Sequence, residues 1–203
     1  MFHLKTFIKD LRSLSKYVWA AAIIFLVGGI LGWISTGALQ EIMIQQISGI
    51  KEISEQLQQG NNVQWNFFTF IFWNNATKAI LVIFAGALAG VVPIIFLVIN
   101  GGVLGFLLHL SWQQGVSMYD VVVKGLLPHG IIEIPAIIVA CAFGLKFGVL
   151  IIKSLGQGIK STRNRTTDLR SFIRQTGTAS VWIVILLFIA AIIESTITFA
   201  LVK

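Results

Sequence analysis

The sequence predicts an all-α fold: a polytopic bundle of about five membrane-spanning helices, amino terminus cytoplasmic and carboxyl terminus outside. Composition is the first observation. Hydrophobic residues make up 56% of the 203-residue chain and charged residues only 11%, against ~25% charged in soluble domains. The second is length, because several apolar runs approach or exceed the ~18–20 residues that carry a helix across a bilayer. The third is where the positive charges fall. Lys5, Lys9, Arg12 and Lys16 precede the first run, and Lys153, Lys160, Arg163, Arg165, Arg170 and Arg174 lie between the last two. The net charge of +7 therefore reads as topology, with both basic segments on the cytoplasmic side.

Residues 1–16 form a basic amphipathic helix. Leu4, Phe7, Ile8, Leu11 and Leu14 recur at helical spacing while the basic residues hold the other face, a pattern suited to an anionic leaflet. The first span is Tyr17–Ser35. Its apolar core exceeds the ~7–15 residues of a signal sequence, although Thr36-Gly37-Ala38 is a passable cleavage site. The external segment 36–75 carries Leu39, Met43, Ile47, Ile50, Ile53 and Leu57 on one helical face. The aromatic stretch "WNFFTFIFWNN" (Trp65–Asn75) then sits at the outer interface or runs helically into the second span, Ala76–Ile99.

The third and fourth spans are Gly101–Met118 and Ile131–Ile152. The alternative is a re-entrant hairpin over 76–112, broken near Pro93 or at Asn100-Gly101-Gly102, which needs shielding by protein or a wet cavity. The internal basic loop 153–179 leads to the fifth span, Val181–Val202. Positive-inside topology explains that loop without nucleic acid. The single cysteine, Cys141, leaves no internal disulfide.

Four glycine pairs at spacing four punctuate the chain: Gly28–Gly32, Gly86–Gly90, Gly101–Gly105 and Gly144–Gly148. Glycines one turn apart let helices approach closely in lipid, where apolar burial gives little drive to associate. They predict a compact bundle or contacts within an oligomer.

Ionisable groups within the spans are costly, on the order of 2.5–3.5 kcal/mol each at the bilayer centre. His129, Glu133, Lys78, Asn75, Asn100, His109 and Glu194 are the candidate polar cluster, with Lys78, Glu133 and Glu194 expected in the outer half. Pro128 suits a helix's first turn, and Pro135 follows within two turns. That start would set His129 and Glu133, flanking Gly130, on one face at spacing four. Three readings compete: a structural polar clamp, a binding site for a peptide, lipid headgroup or proton, and an intramembrane catalytic site. One histidine with one glutamate is not the paired-histidine set of a zinc protease, so no metal, cofactor or catalytic residue is expected.

The segment "PHGIIEIPA" (Pro128–Ala136) with "NNATKAILVIFAGALAGVVPIIFLVINGGVLG" (Asn74–Gly105) resembles the stage II sporulation protein M family. The matching features are Asn75, Gly86–Gly90, Pro93, Asn100–Gly101 and the Pro-His-Gly-x2-Glu-x-Pro-Ala segment, within roughly residues 66–200. The resemblance implies an integral protein of the cell membrane without established enzymatic activity. It implies action as a scaffold or partner: with wall hydrolases during sporulation, or beside transporter ATPases and permeases in bacteriocin peptide export or immunity. Other expected partners are membrane lipids and a second copy of the chain. The alternative is a small transporter or channel with a polar site in the outer half of the membrane.

Overall fold

The computed structural model describes residues 3–59, 62–156 and 162–198, and side chains for all of these except 129, 156, 162–168 and 198. Every regular element among them is helical: α1 (Leu4–Ser13), α2 (Ser15–Trp33), α3 (Gly37–Gln58), α4 (Val63–Ala85), α5 (Val91–Gln113), a π-helical segment Asp120–Leu126, α6 (Leu127–Gly156), α7 (Thr162–Ile193) and a second π-helical segment Glu194–Thr198. Among the described residues, five stretches are long and apolar enough to cross a membrane: Ser15–Trp33, Val63–Ala85, Val91–Gln113, Gly130–Leu155 and Leu169–Ile197.

Three boundaries differ from the sequence reading. The second span begins at Val63 rather than Ala76, because the aromatic stretch is the amino-terminal half of α4. Phe68 and Phe72 both meet Phe188 of α7 edge-to-face, ring centroids 5.4 Å apart. Asn74, Asn75 and Lys78 dilute the hydropathy there, although the aromatic rings carry as much apolar surface as aliphatic chains.

The break between the second and third spans falls at Gly86–Gly90, not at Asn100-Gly101. Ala89 (φ 54°) and Gly90 (φ 78°) both adopt left-handed backbone, a conformation that glycine takes without strain. Pro93 then occupies the first turn of α5, where a missing N–H leaves no bond unmade. Asn100-Gly101-Gly102 is helix interior. Both α4 and α5 have 23 residues, about 34 Å of helix, enough for a full crossing of a ~30 Å hydrocarbon core.

Most of the predicted basic loop is helix as well. α7 carries a buried stripe through Phe172, Thr176, Ala179, Ile183, Leu187 and Ala190, continuous in period from the polar part into the apolar part.

α2 and α5 run parallel, and so do α4 and α6. Hypothetical Cβ atoms on Gly28 and Gly32 meet Val98 and Gly102 in order, and those on Gly86 and Gly148 meet Gly144 and Gly90. Alternate spans thus point the same way. α1 lies along α7 with Phe7 stacked on Trp182 at 6.1 Å, while Lys5, Lys9, Arg12 and Lys16 are exposed. At the other end, the second π-helical segment touches α4, α6 and the first π-helical segment. α3 packs against α5 by Met43, which is buried and faces Gly102; Leu39 and Ile47 are half-buried on the same face.

Candidate functional site

The polar centre is built by α4, α6 and the end of α7. Asn75 Nδ2 donates to Glu133 Oε1 at 2.9 Å, joining helices whose residues are far apart in sequence. Lys78 and Glu194 both lie within electrostatic reach of Glu133. Glu133, Glu194 and Asn75 are half-buried, and Lys78 is exposed. Asn75 stands twelve residues after Val63, about 18 Å along α4. Asn75 and Lys78 therefore belong to the body of α4. Asn74 Nδ2 donates to Asn75 Oδ1 at 3.4 Å, a long contact that extends the chain of dipoles toward the carboxylate.

Pro128 stands in the first turn of α6, with no break in the chain before it. The π-helical segment Asp120–Leu126 feeds directly into α6. Proline cannot donate to the ladder, and at this point the hydrogen-bond register passes from π to α. Pro135 lies inside α6, next to the buried Ala136. Gly130 is buried. The backbone of residues 129 and 133 is helical, which keeps the spacing-four geometry, but the His129 side chain lies outside the described residues. Among the described residues, Glu133 has a partner across the helix interface in Asn75.

Two members of the predicted cluster stand elsewhere. Asn100 Nδ2 donates within α5 to the Phe96 carbonyl at 2.7 Å. His109 lies edge-on to Trp33 at 5.0 Å and near Trp112 at 6.0 Å, where the end of α2 meets the carboxyl-terminal part of α5. Its Nδ1, like the Thr176 hydroxyl, is buried without a hydrogen-bond partner among the described residues. Lys146 donates to Gln175 Oε1 at 2.6 Å, linking α6 to α7.

The glycine pairs form two crossings. Gly28 and Gly32 of α2 meet Val98 and Gly102 of α5, while Gly101 and Gly105 of α5 meet Phe25 and Gly29 of α2; Gly86 and Gly90, in the turn after α4, meet Gly144 and Gly148 of α6. A Cβ on Gly105 would overlap the Gly29 carbonyl oxygen, and one on Gly86 would overlap that of Gly144. Gly29 and Gly102 complete the first crossing and escaped the spacing-four pattern. The doublets Gly28-Gly29 and Gly101-Gly102 were the signal.

Outside the spans, Lys124 Nζ pairs with Asp120 Oδ1 at 2.5 Å on the first π-helical segment. That hydrogen bond from Lys124 holds the Asp120 carboxyl below the ordinary aspartate range, and the same contact raises the Lys124 ammonium. Neither residue was singled out in the sequence, although opposite charges four residues apart are a readable helical pattern.

Comparison with known proteins adds family information. The family model described as stage II sporulation protein M matches residues 21–199. An uncharacterised protein of Methanocaldococcus jannaschii is 25% identical over 209 aligned positions, covering 100% of this chain and 91% of that protein. No solved structure matches.

Proposed function

This chain belongs to the stage II sporulation protein M family, and from that premise we propose that it acts without catalysis as a scaffold within a complex of the cell membrane. Its partners in this reading are envelope-remodelling hydrolases or the ATPase and permease of a peptide exporter. The observation that carries the reading is the state of α3. Leu39, Met43 and Ile47 hold this helix to the bundle, while Ile42, Ile44 and Ile50 remain exposed. Exposed apolar surface beyond what packing requires marks an interaction site. The intramembrane polar groups fit the same role, since Asn75 and Glu133 satisfy each other between α4 and α6 and so stiffen the platform from which α3 projects.

Photocrosslinking from position 50 in native membranes tests it. The expected product is a discrete adduct with a second membrane or wall-facing protein, reduced about tenfold by Ile44→Asp, a loss in the range of an interface hot spot. Adducts with lipid alone would remove the basis of the scaffold.

One observation favours a second reading, a small proton- or cation-coupled transporter. Glu133 and Glu194 are two carboxyl groups brought near each other where α6 meets the second π-helical segment, in a chain of apolar helices. Such a pair is costly unless a proton or cation is shared between them. In proteoliposomes this reading expects Glu133→Gln to fold normally while flux loses its pH dependence.

A further inference from the structure

A cavity of about 600 Å³ opens between the outer part of α5 and the first π-helical segment. Its size falls within the ~300–1,000 Å³ of small-molecule sites, which are mostly apolar with a few placed polar groups. One wall is the leucine stripe Leu104, Leu107 and Leu108, at helical spacing on α5; the facing wall includes Val121 and Gly125. Asp120 and Lys124 also line it. They are joined to each other and about half exposed, with side-chain exposures of 49% and 42%.

We infer that this cavity is a binding site for one zwitterionic phospholipid, an acyl chain along the α5 leucines and a phosphoethanolamine headgroup at the Asp120–Lys124 rim.

The charges argue for that occupant. A lysine ammonium binds phosphate as a point charge, and the neighbouring carboxylate suits the ligand's own ammonium. A singly anionic headgroup would meet Lys124 but bring Asp120 a negative neighbour without compensation. Exposed ion pairs contribute little to stability, so exchanging the Asp120–Lys124 contact for two contacts to a headgroup costs the fold little. The polar atoms deeper in the wall do not compete, since the Ser111 hydroxyl already donates to the Leu107 carbonyl at 2.9 Å. π-Helical turns are rare and concentrate at functional sites, and this one supplies both rim residues. Gly125 leaves the wall open without being required by the backbone, because an added Cβ would meet only the Asp120 carbonyl oxygen, at 3.6 Å.

Native mass spectrometry of the full chain, equilibrated with phosphatidylethanolamine or phosphatidylglycerol of identical acyl chains, tests the assignment. The wild-type protein is expected to retain one lipid per chain, with phosphatidylethanolamine preferred about tenfold, the scale of one charge-assisted hydrogen bond. Gly125→Leu narrows the cavity and is expected to reduce retention of both lipids by about tenfold, with helicity and thermal unfolding unchanged. Asp120→Asn is expected to erase the preference while leaving retention in place. Equal retention of the two lipids by the wild type, or stronger retention of phosphatidylglycerol, overturns the proposal whatever the variants do. Unchanged retention in a folded Gly125→Leu protein overturns it too.

Discussion

Glu133 shows how a single residue can be legible in type yet not in partner. A carboxylate near the start of an apolar run must be compensated, and the sequence offers His129 one turn away. The structure supplies Asn75 from another helix, a contact no local spacing encodes, while the His129 side chain lies outside the described residues. Replacing Asn75 with Val strips the donor from Glu133, and the loss should be roughly 0.5–2 kcal/mol, the span measured for interhelical hydrogen bonds in membranes. Glu133→Gln keeps an acceptor oxygen at that place and should cost less. Unfolding of both variants in the same micelles gives the comparison directly; equal losses would mean that the carboxylate charge, not the hydrogen bond, does the holding. Asp120 makes a separate case at the surface. Its folded value lies below that of the free side chain, so the pair with Lys124 is intact above the ordinary aspartate range and is lost as pH falls through the lowered value. Lys124→Gln should return the Asp120 titration, followed by carboxyl NMR, to the ordinary range; an unmoved midpoint would assign the lowering to something other than lysine.

Among the elements, α4 and α5 are where sequence and structure part, and the causes are physical. Hydropathy treats Asn74, Asn75 and Lys78 as a boundary, yet α4 carries them in its body, with Asn75 bonded across to α6. The doublet at 101–102 looks like a turn because glycine favours turns, but here its missing side chains admit Met43 of α3 and the backbone of α2. The glycine spacing itself was readable. Which pair meets which was not, because that depends on the direction of each helix in three dimensions. Close backbone contact makes a sharp prediction. Gly105→Ala places a methyl onto the Gly29 carbonyl, and forcing the helices apart should cost on the order of 1–3 kcal/mol. Gly49→Ala and Gly177→Ala place a methyl where nothing lies within 4 Å and should be neutral or stabilising by up to ~1 kcal/mol, as alanine is the better helix former. Thermal unfolding of the three variants separates them; similar melting temperatures would show that the α2–α5 crossing yields without cost.

For the whole molecule, the positive-inside pattern and the helix lengths predict one topology. The basic α1 lies against α7 beside Trp182, and the end of α7 meets the Glu133 region, so the two ends of the described chain lie at opposite ends of the bundle. Parallel packing of alternate spans follows from any simple up-and-down path, but also from a re-entrant hairpin over 76–112. Length separates the two, since each leg is 23 residues and a hairpin turning mid-membrane needs only about half the ~20 residues of a full span per leg. The turn at Gly86–Gly90 should then reach the face that carries Lys5, Lys9 and Arg12. Leu88 is 66% exposed there, and the native Cys141 is fully buried. A cysteine at position 88 should therefore react with a membrane-impermeant maleimide only when the reagent has access to the cytoplasmic face. A cysteine at Val116, exposed in the connection between α5 and the first π-helical segment, should react from the opposite face in intact cells. Labelling of both positions from one side would require the hairpin. It would then place α4 and α5 in a shielded or water-filled environment, because backbone that turns within hydrocarbon must be covered by something other than lipid.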